Sequence, residues 1–559
     1  MARNETAGRL NREQNPPPGE MPGYNPQFYD ESGHAVDVTE KNPFPSALYN
    51  KTESGIWLPV SSSNPIHTKD NEAKGATNQI KQTIDNLTES QKLKTNDAGT
   101  QGKIDQLKQS IDDLNENQKN INKKINVLAG DKAIYGVRWN KVSSPTMIRT
   151  DEAQGLVANA GIDGQSVTND FDNLPIWGEM GEVTDDIGNT FVKIPKFYIQ
   201  KKSGKGFYVL RISKHHHTGF YLPWIFWDFN NNKELDYALI GKYEGFVEDV
   251  RLTSKAGVHP TVEQNIVEFR GYATENGPGY QQNDIHMIDA LQALFFIEFA
   301  TLNTQSIMQG HVSANYSNNH TVTVAESNAN RAIVSNSTAS GYEAGQTIGI
   351  GVNNYSNSVT GTSRLITKVE SYDSSNTAIY FDGDPVSTSV GDVIANRSVI
   401  TGFSSEILAS SGTVNANDGW NGISYRGIEN PYGNIYEWID GVNINSHQAW
   451  VARNADDYAS NVFAKPYEKL GYVNHDANGY VKEMGYDANH PYAEFPIEVG
   501  AGTSTYYADY YYQNTGQRVA RFGGYWSTGS SAGLSLWNFT STSSNRSATS
   551  GGRLLKKPL

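Results

Sequence analysis

Two stretches of the chain carry residue types that could hold a metal. His215, His216 and His217 are consecutive. In a strand, alternation would put His215 and His217 on one face, where imidazoles gathered on a symmetry axis could ligate an ion. The plainer reading is a solvent-facing run, and it is preferred. Further on, DFNNNKELD places Asp228, Asn230, Asn232, Glu234 and Asp236 at alternate positions, in the manner of the oxygen ligands of a calcium loop. Lys233 stands where such a loop requires glycine and Leu239 where it requires glutamate, so an Asn-rich hairpin turn explains the stretch as well. Carboxylates are plentiful, but no spacing singles out a pair for glycoside cleavage. There is no nucleophile elbow, P-loop or zincin helix. Cysteine is absent, which excludes disulfides, thiolate metal sites and cysteine nucleophiles together. The expectation is a non-enzyme with no metal and no cofactor.

Residues suited to binding concentrate near the C-terminus, in RFGGYWSTGSSAGLSLWNFTSTSSNRSATSGGRLL. Tyr525, Trp537 and Phe539 offer rigid contact area. Ser527, Thr528, Ser530, Ser531, Asn538, Thr540, Ser541 and Asn545 offer adaptable hydrogen bonds, and Arg546 a cation, a mixture also used by antibody loops. Just upstream, YYADYYYQ adds Tyr510, Tyr511 and Tyr512, whose hydroxyls suit a carbohydrate, a protein or a subunit interface. Trp526, beside two glycines, is expected as a core plug; Trp537 reads equally as plug or contact. After Asp509 no acidic residue follows, whereas Arg518, Arg521, Arg546, Arg553, Lys556 and Lys557 do. The preferred reading is that the arginines pin backbone carbonyls; the sharper one is that some face an anionic ligand.

The elements that must position these residues differ in kind along the 559 residues. A net charge of −14 argues against nucleic acid as a partner. No apolar run is long enough to cross a membrane, and the first residues lack the apolar core of a signal peptide, so the chain is expected to be made in the cytoplasm and not to insert into membranes. Residues 1–68, proline-rich with scattered aromatics, predict an extended docking strap. Residues 69–130 predict an α-helical coiled-coil stalk: Ile104, Ile111 and Ile125 fall on one heptad position and Leu107, Leu114, Ile121 and Leu128 on another. With only polar flanks, such a helix would pair with copies of itself. Residues 131–310 and 401–559 predict two halves of one head with a buried helix in DIHMIDALQALFFIEFATLNTQSIM. Residues 311–400, alternating strands with Ser/Asn turns, predict an inserted small all-β domain.

Three strings in the head occur in a fixed order: GNIYEW around Tyr436 and Trp438, RFGGYW around Tyr525 and Trp526, and GGR around Arg553. This order resembles the formylglycine-generating-enzyme branch of the C-type lectin fold, over about 131–310 and 401–559. The resemblance implies an α+β C-type-lectin-like head. The oxidising enzymes of that branch use cysteines, absent here, which leaves its binding branch: variable proteins of diversity-generating systems and bacteriophage tail adhesins. YGVRWN and GNTFVKIPKFYI are also similar to strings in minor structural or receptor-binding proteins of phages of Gram-positive bacteria. The implied function is a phage receptor-binding or tail-fibre protein that grips a cell-surface glycan, teichoic acid or protein. Its implied place is the virion, with the strap docked on other tail or baseplate proteins. By analogy with phage fibres a homotrimer is chosen, although the heptad residues by themselves favour a dimer. The alternatives are a structural baseplate or head fibre without receptor binding, and a virion-associated polysaccharide depolymerase.

Overall fold

The computed structural model describes residues 105–113, 130–161, 167–314, 316–354, 356–402 and 419–559. It also describes the short strands Phe28–Tyr29, Ala35–Val36, Tyr49–Lys51, Trp57–Pro59 and Gly412–Thr413. The chain divides into two units, Met1–Asp112 and Asp113–Leu559. In the first, the described strands pair antiparallel as two small hairpins, Phe28–Tyr29 with Ala35–Val36 and Tyr49–Lys51 with Trp57–Pro59.

Sheets dominate the described residues, which contain four helices and are 14% helical. This overturns the expected architecture of a helical coiled-coil stalk carrying an α+β C-type-lectin-like head. In the stalk range the described helix spans only 105–113, where Leu107 is 49% exposed and Ile111 is buried. Ile104, Leu114, Ile121, Ile125 and Leu128 lie outside the described residues. A heptad pattern shows which residues would meet a partner helix, but a helix with polar flanks draws little stability from propensity alone. The head was misjudged because its one long apolar helix gives a stronger sequence signal than many short strands, each only a few residues long.

That helix, Ile285–Phe299, is nonetheless central. Asp284 caps it, accepting from the backbone N–H of His286 at 3.0 Å and of Met287 at 2.9 Å. It ends at Ala300 in the left-handed region, with φ 51°. Every side chain from Ile285 to Phe299 except Gln292 is buried. It packs against strands Ile134–Trp139 and Phe207–Ser213 of a four-stranded antiparallel sheet and, through Tyr436–Asn445, against a nine-stranded sheet. A five-stranded sheet uses the C-terminal strand Leu554–Lys556 between Tyr280–Gln282 and Tyr237–Gly241.

Between the helix and the nine-stranded sheet's strands in sequence, six strands from Tyr316–Val324 to Val393–Ala395 close into a barrel. TIGIG and NTAIYF explain it locally: alternation sends Ile348, Ile350, Ile379 and Phe381 into a separate core with Val322, Val334 and Ile394.

Arg553 ties the C-terminal end of the second unit to segments in its middle. Its Nε donates to Glu437 at 2.6 Å, and its other nitrogens donate to the carbonyls of Gly241, Lys242, Glu429 and Asn430. GGR and GNIYEW thus meet in one buried cluster, which also holds Glu244 beside Asn434.

Candidate functional site

The terminal segment is sorted by strand alternation. Strand Trp537–Phe539 lies between Gln517–Phe522 and Tyr510–Gln513, with Phe522 opposite Trp537, Arg521 and Tyr512 opposite Asn538, and Tyr511 opposite Trp537. On one face Tyr511, Trp537 and Phe539 enter the core, exposed by 0%, 1% and 0%. There Trp537 packs edge-on against Phe495 and Phe522 at 5.0 and 5.1 Å. These three are core residues, contrary to their reading as ligand contacts. Large aromatics alternating with polar residues in WNFT are explained by one buried sheet face.

The other face carries Tyr480, Tyr510, Tyr512, Asn538, Thr540 and Arg521. Tyr480 and Tyr510 pair across the strands with rings 5.0 Å apart, and Tyr510 and Tyr512 lie 4.5 Å apart. All three tyrosines are half-buried. The loop after the two glycines folds over this row. Gly523 and Gly524 have φ of 86° and 96°, and a Cβ on Gly524 would come within 2.7 Å of Ala532 Cβ, so the turn requires glycine. Thr528 Oγ1 accepts from the Tyr525 N–H at 2.7 Å, and the Tyr480 hydroxyl lies 3.2 Å from both Ser530 and Ser531 hydroxyls. Tyr525, Ser527, Thr528 and Ser531 are half-buried and Ser530 exposed. Trp526 is buried beneath, with the Arg397 guanidinium 5.1 Å above its ring.

The remaining named residues are elsewhere or occupied. Asn538 and Ser541 are buried and so correct the expectation of free contacts. Thr540 is half-buried and hydrogen-bonds to Asn538 at 2.7 Å. Asn545 is exposed, and Arg546 pairs with Glu268 in the first turn of helix Ile266–Thr274. Tyr480 escaped the sequence reading because it stands in no cluster, and Tyr436 was read only as part of GNIYEW. Their signal was the period of two in GYVKEM and IYEW.

The metal candidates resolve into local structure. His215 and His217 stack edge-on at 5.3 Å, and His217 Nε2 lies 3.2 Å from both the Lys132 carbonyl and the Ser213 hydroxyl. Asp228 accepts from the N–H groups of Asn230 and Asn231 and from the Asn231 amide, closing a hairpin in which Trp227 faces Glu234. Among the described residues no group of three His, Cys, Asp or Glu is placed to hold a metal.

Two carboxylate sets could suggest catalysis. Lys201 sits 2.7 Å from Asp289 and 2.6 Å from Glu494, with Tyr221 and Tyr208 donating to the same carboxylates, but the lysine is sealed inside. Asp172 and Glu182 line an open cavity of about 270 Å³. Asp172 is held 2.7 Å from Arg426 and Glu182 2.6 Å from Lys242.

The described residues define a β-rich chain that carries a surface of tyrosines and hydroxyls. Comparison with models of known protein families finds no match, and comparison with curated proteins finds none.

Proposed function

We propose that the chain is a recognition protein of a phage virion, binding a host cell-surface polymer through the face formed by Tyr480, Tyr510, Tyr512, Tyr525, Ser530 and Ser531. The observation that supports this is the adjacency of three half-buried tyrosine rings and two loop serine hydroxyls within one row. Tyrosine rings give contact area at small entropy cost, and the hydroxyls both donate and accept, as a polyhydroxylated ligand requires. Labelled full-length chain should bind host cells saturably, and Tyr510→Ala with Tyr512→Ala should remove that binding without unfolding the protein. Undiminished binding by the folded double variant would sink the assignment to this face. A purely structural fibre predicts no saturable binding by either form. The depolymerase alternative draws on the cavity lined by Asp172 and Glu182 and predicts polymer shortening that Glu182→Gln abolishes.

A further inference from the structure

Most cations of the C-terminal segment have visible partners; among the described residues half-buried Arg518 and buried Arg521 pair with no carboxylate. Arg553 holds Glu437 and four carbonyls, Lys557 donates to the carbonyls of Trp224 and Trp227, Arg546 pairs with Glu268 and Lys556 with Asp185. Arg521 is 9% exposed, yet among the described residues only neutral acceptors hold it: Ser550 Oγ at 3.1 Å, Asn538 Oδ1 at 3.2 Å and Thr540 Oγ1 at 3.0 Å. Its guanidinium lies 4.7 Å from the Tyr436 ring and 5.7 Å from the Trp438 ring, and its Nε has no hydrogen-bond partner.

A buried cation without a counter-ion is costly and is rarely kept without a use. Desolvation lowers the Arg521 pKa, and the neighbours that oppose this are Tyr436 and Tyr525, not carboxylates. Tyr525 stacks over Tyr436 at 5.2 Å, and Tyr512 lies opposite Asn538, the residue that Arg521 grips. A continuous path of side chains therefore runs from the half-buried tyrosine row to an uncompensated positive charge.

We propose that Arg521 is the anion-binding element of this face, and that the ligand is a sugar or polyol polymer bearing an oxyanion, phosphate or carboxylate, on its repeating unit. This rests on the receptor-binding reading above and names the ligand class for it. Guanidinium bonds to oxyanions are charge-assisted and persist where water is excluded. The tyrosine row takes the uncharged part of the repeat, and Arg521 selects for charge.

The test uses the full chain and three polymers: poly(glycerol phosphate), polygalacturonate and neutral dextran, with affinity measured by calorimetry at low and high salt. One anionic polymer should bind at least about tenfold more tightly than dextran, with the advantage shrinking as salt rises. Which one does so distinguishes a phosphodiester from a uronate source. Arg521→Gln should reduce its affinity to the dextran level. Because that variant could also disturb packing, Asn538→Asp provides the second arm. It sets a carboxylate beside Arg521, and should raise the unfolding temperature while removing the preference for anions. Anionic polymer bound as tightly by folded Asn538→Asp as by the parent, or dextran bound as tightly as the anionic polymers, would overturn the proposal. Cell binding that depends on Tyr510 and Tyr512 with no preference for anions refutes the Arg521 role alone; absence of any cell or polymer binding refutes the receptor reading with it.

Discussion

Arg553 Nε lies 2.6 Å from Glu437 Oε1, with both side chains buried, and this contact joins the end of the chain to the strand that begins GNIYEW. Removing one partner of such a pair strands the other charge. Arg553→Met should therefore cost about 3–5 kcal/mol, read as a lower midpoint in urea unfolding, because four carbonyls lose their donor at the same time. A loss below about 1 kcal/mol would show that the cluster does not hold the sheets together.

Glu244 belongs to the same cluster, and burial pushes its carboxyl up to about 8 from an ordinary value of 4.5. The folded value is raised, so this group's contribution is fully present below the unfolded pKa and is lost as pH rises through about 8. Glu244→Gln keeps the shape of the neutral acid and should flatten that part of the profile. Thermal unfolding at pH 5 and pH 9 should show a smaller drop for the variant than for the parent. Parallel profiles would remove Glu244 as a source of the pH dependence.

Gly533 sits at φ 149°, and a Cβ there would collide with the Asp509 carboxylate, itself buried and raised well above its usual pKa by desolvation. Gly533→Ala should destabilise by roughly 2 kcal/mol, in the range of overpacked cores. Shortening the acid in Gly533→Ala with Asp509→Ser should recover part of that loss, which calorimetric unfolding would register as non-additivity.

The two faces of the terminal strands should separate binding from stability. Trp537→Ala removes a fully buried ring and should cost about 3–5 kcal/mol. Tyr512→Ala, on the half-buried face, should leave stability within about 1 kcal/mol yet weaken cell binding about tenfold. A variant pair with equal losses in both measurements would mean that the faces are not functionally distinct.

Much of this was legible one element at a time. The helix of DIHMIDALQALFFIEF announces itself by being apolar on all sides, and the barrel strands by alternation around Ile348 and Ile379. The heptad seam at Ile111 and Leu107 misled: a repeat records potential partners, and the described helix spans only 105–113. The terminal segment misled in a different way. Phe539 and Tyr511 were read as contacts and Trp537 as contact or plug, whereas WNFT and YYY obey the period of two and send all three inward.

The sequence by itself determined that the last fifty positions are basic and rich in tyrosine and hydroxyl residues, since residue type and charge are local properties. Only the tertiary structure decided which of those cations is compensated. Arg553 and Arg521 look alike in the sequence, but the first meets Glu437 from a strand more than a hundred residues away, and the second meets only neutral acceptors among the described residues. The physical reason is that counter-ions are assigned by sheet register between distant strands, and no local pattern encodes that pairing.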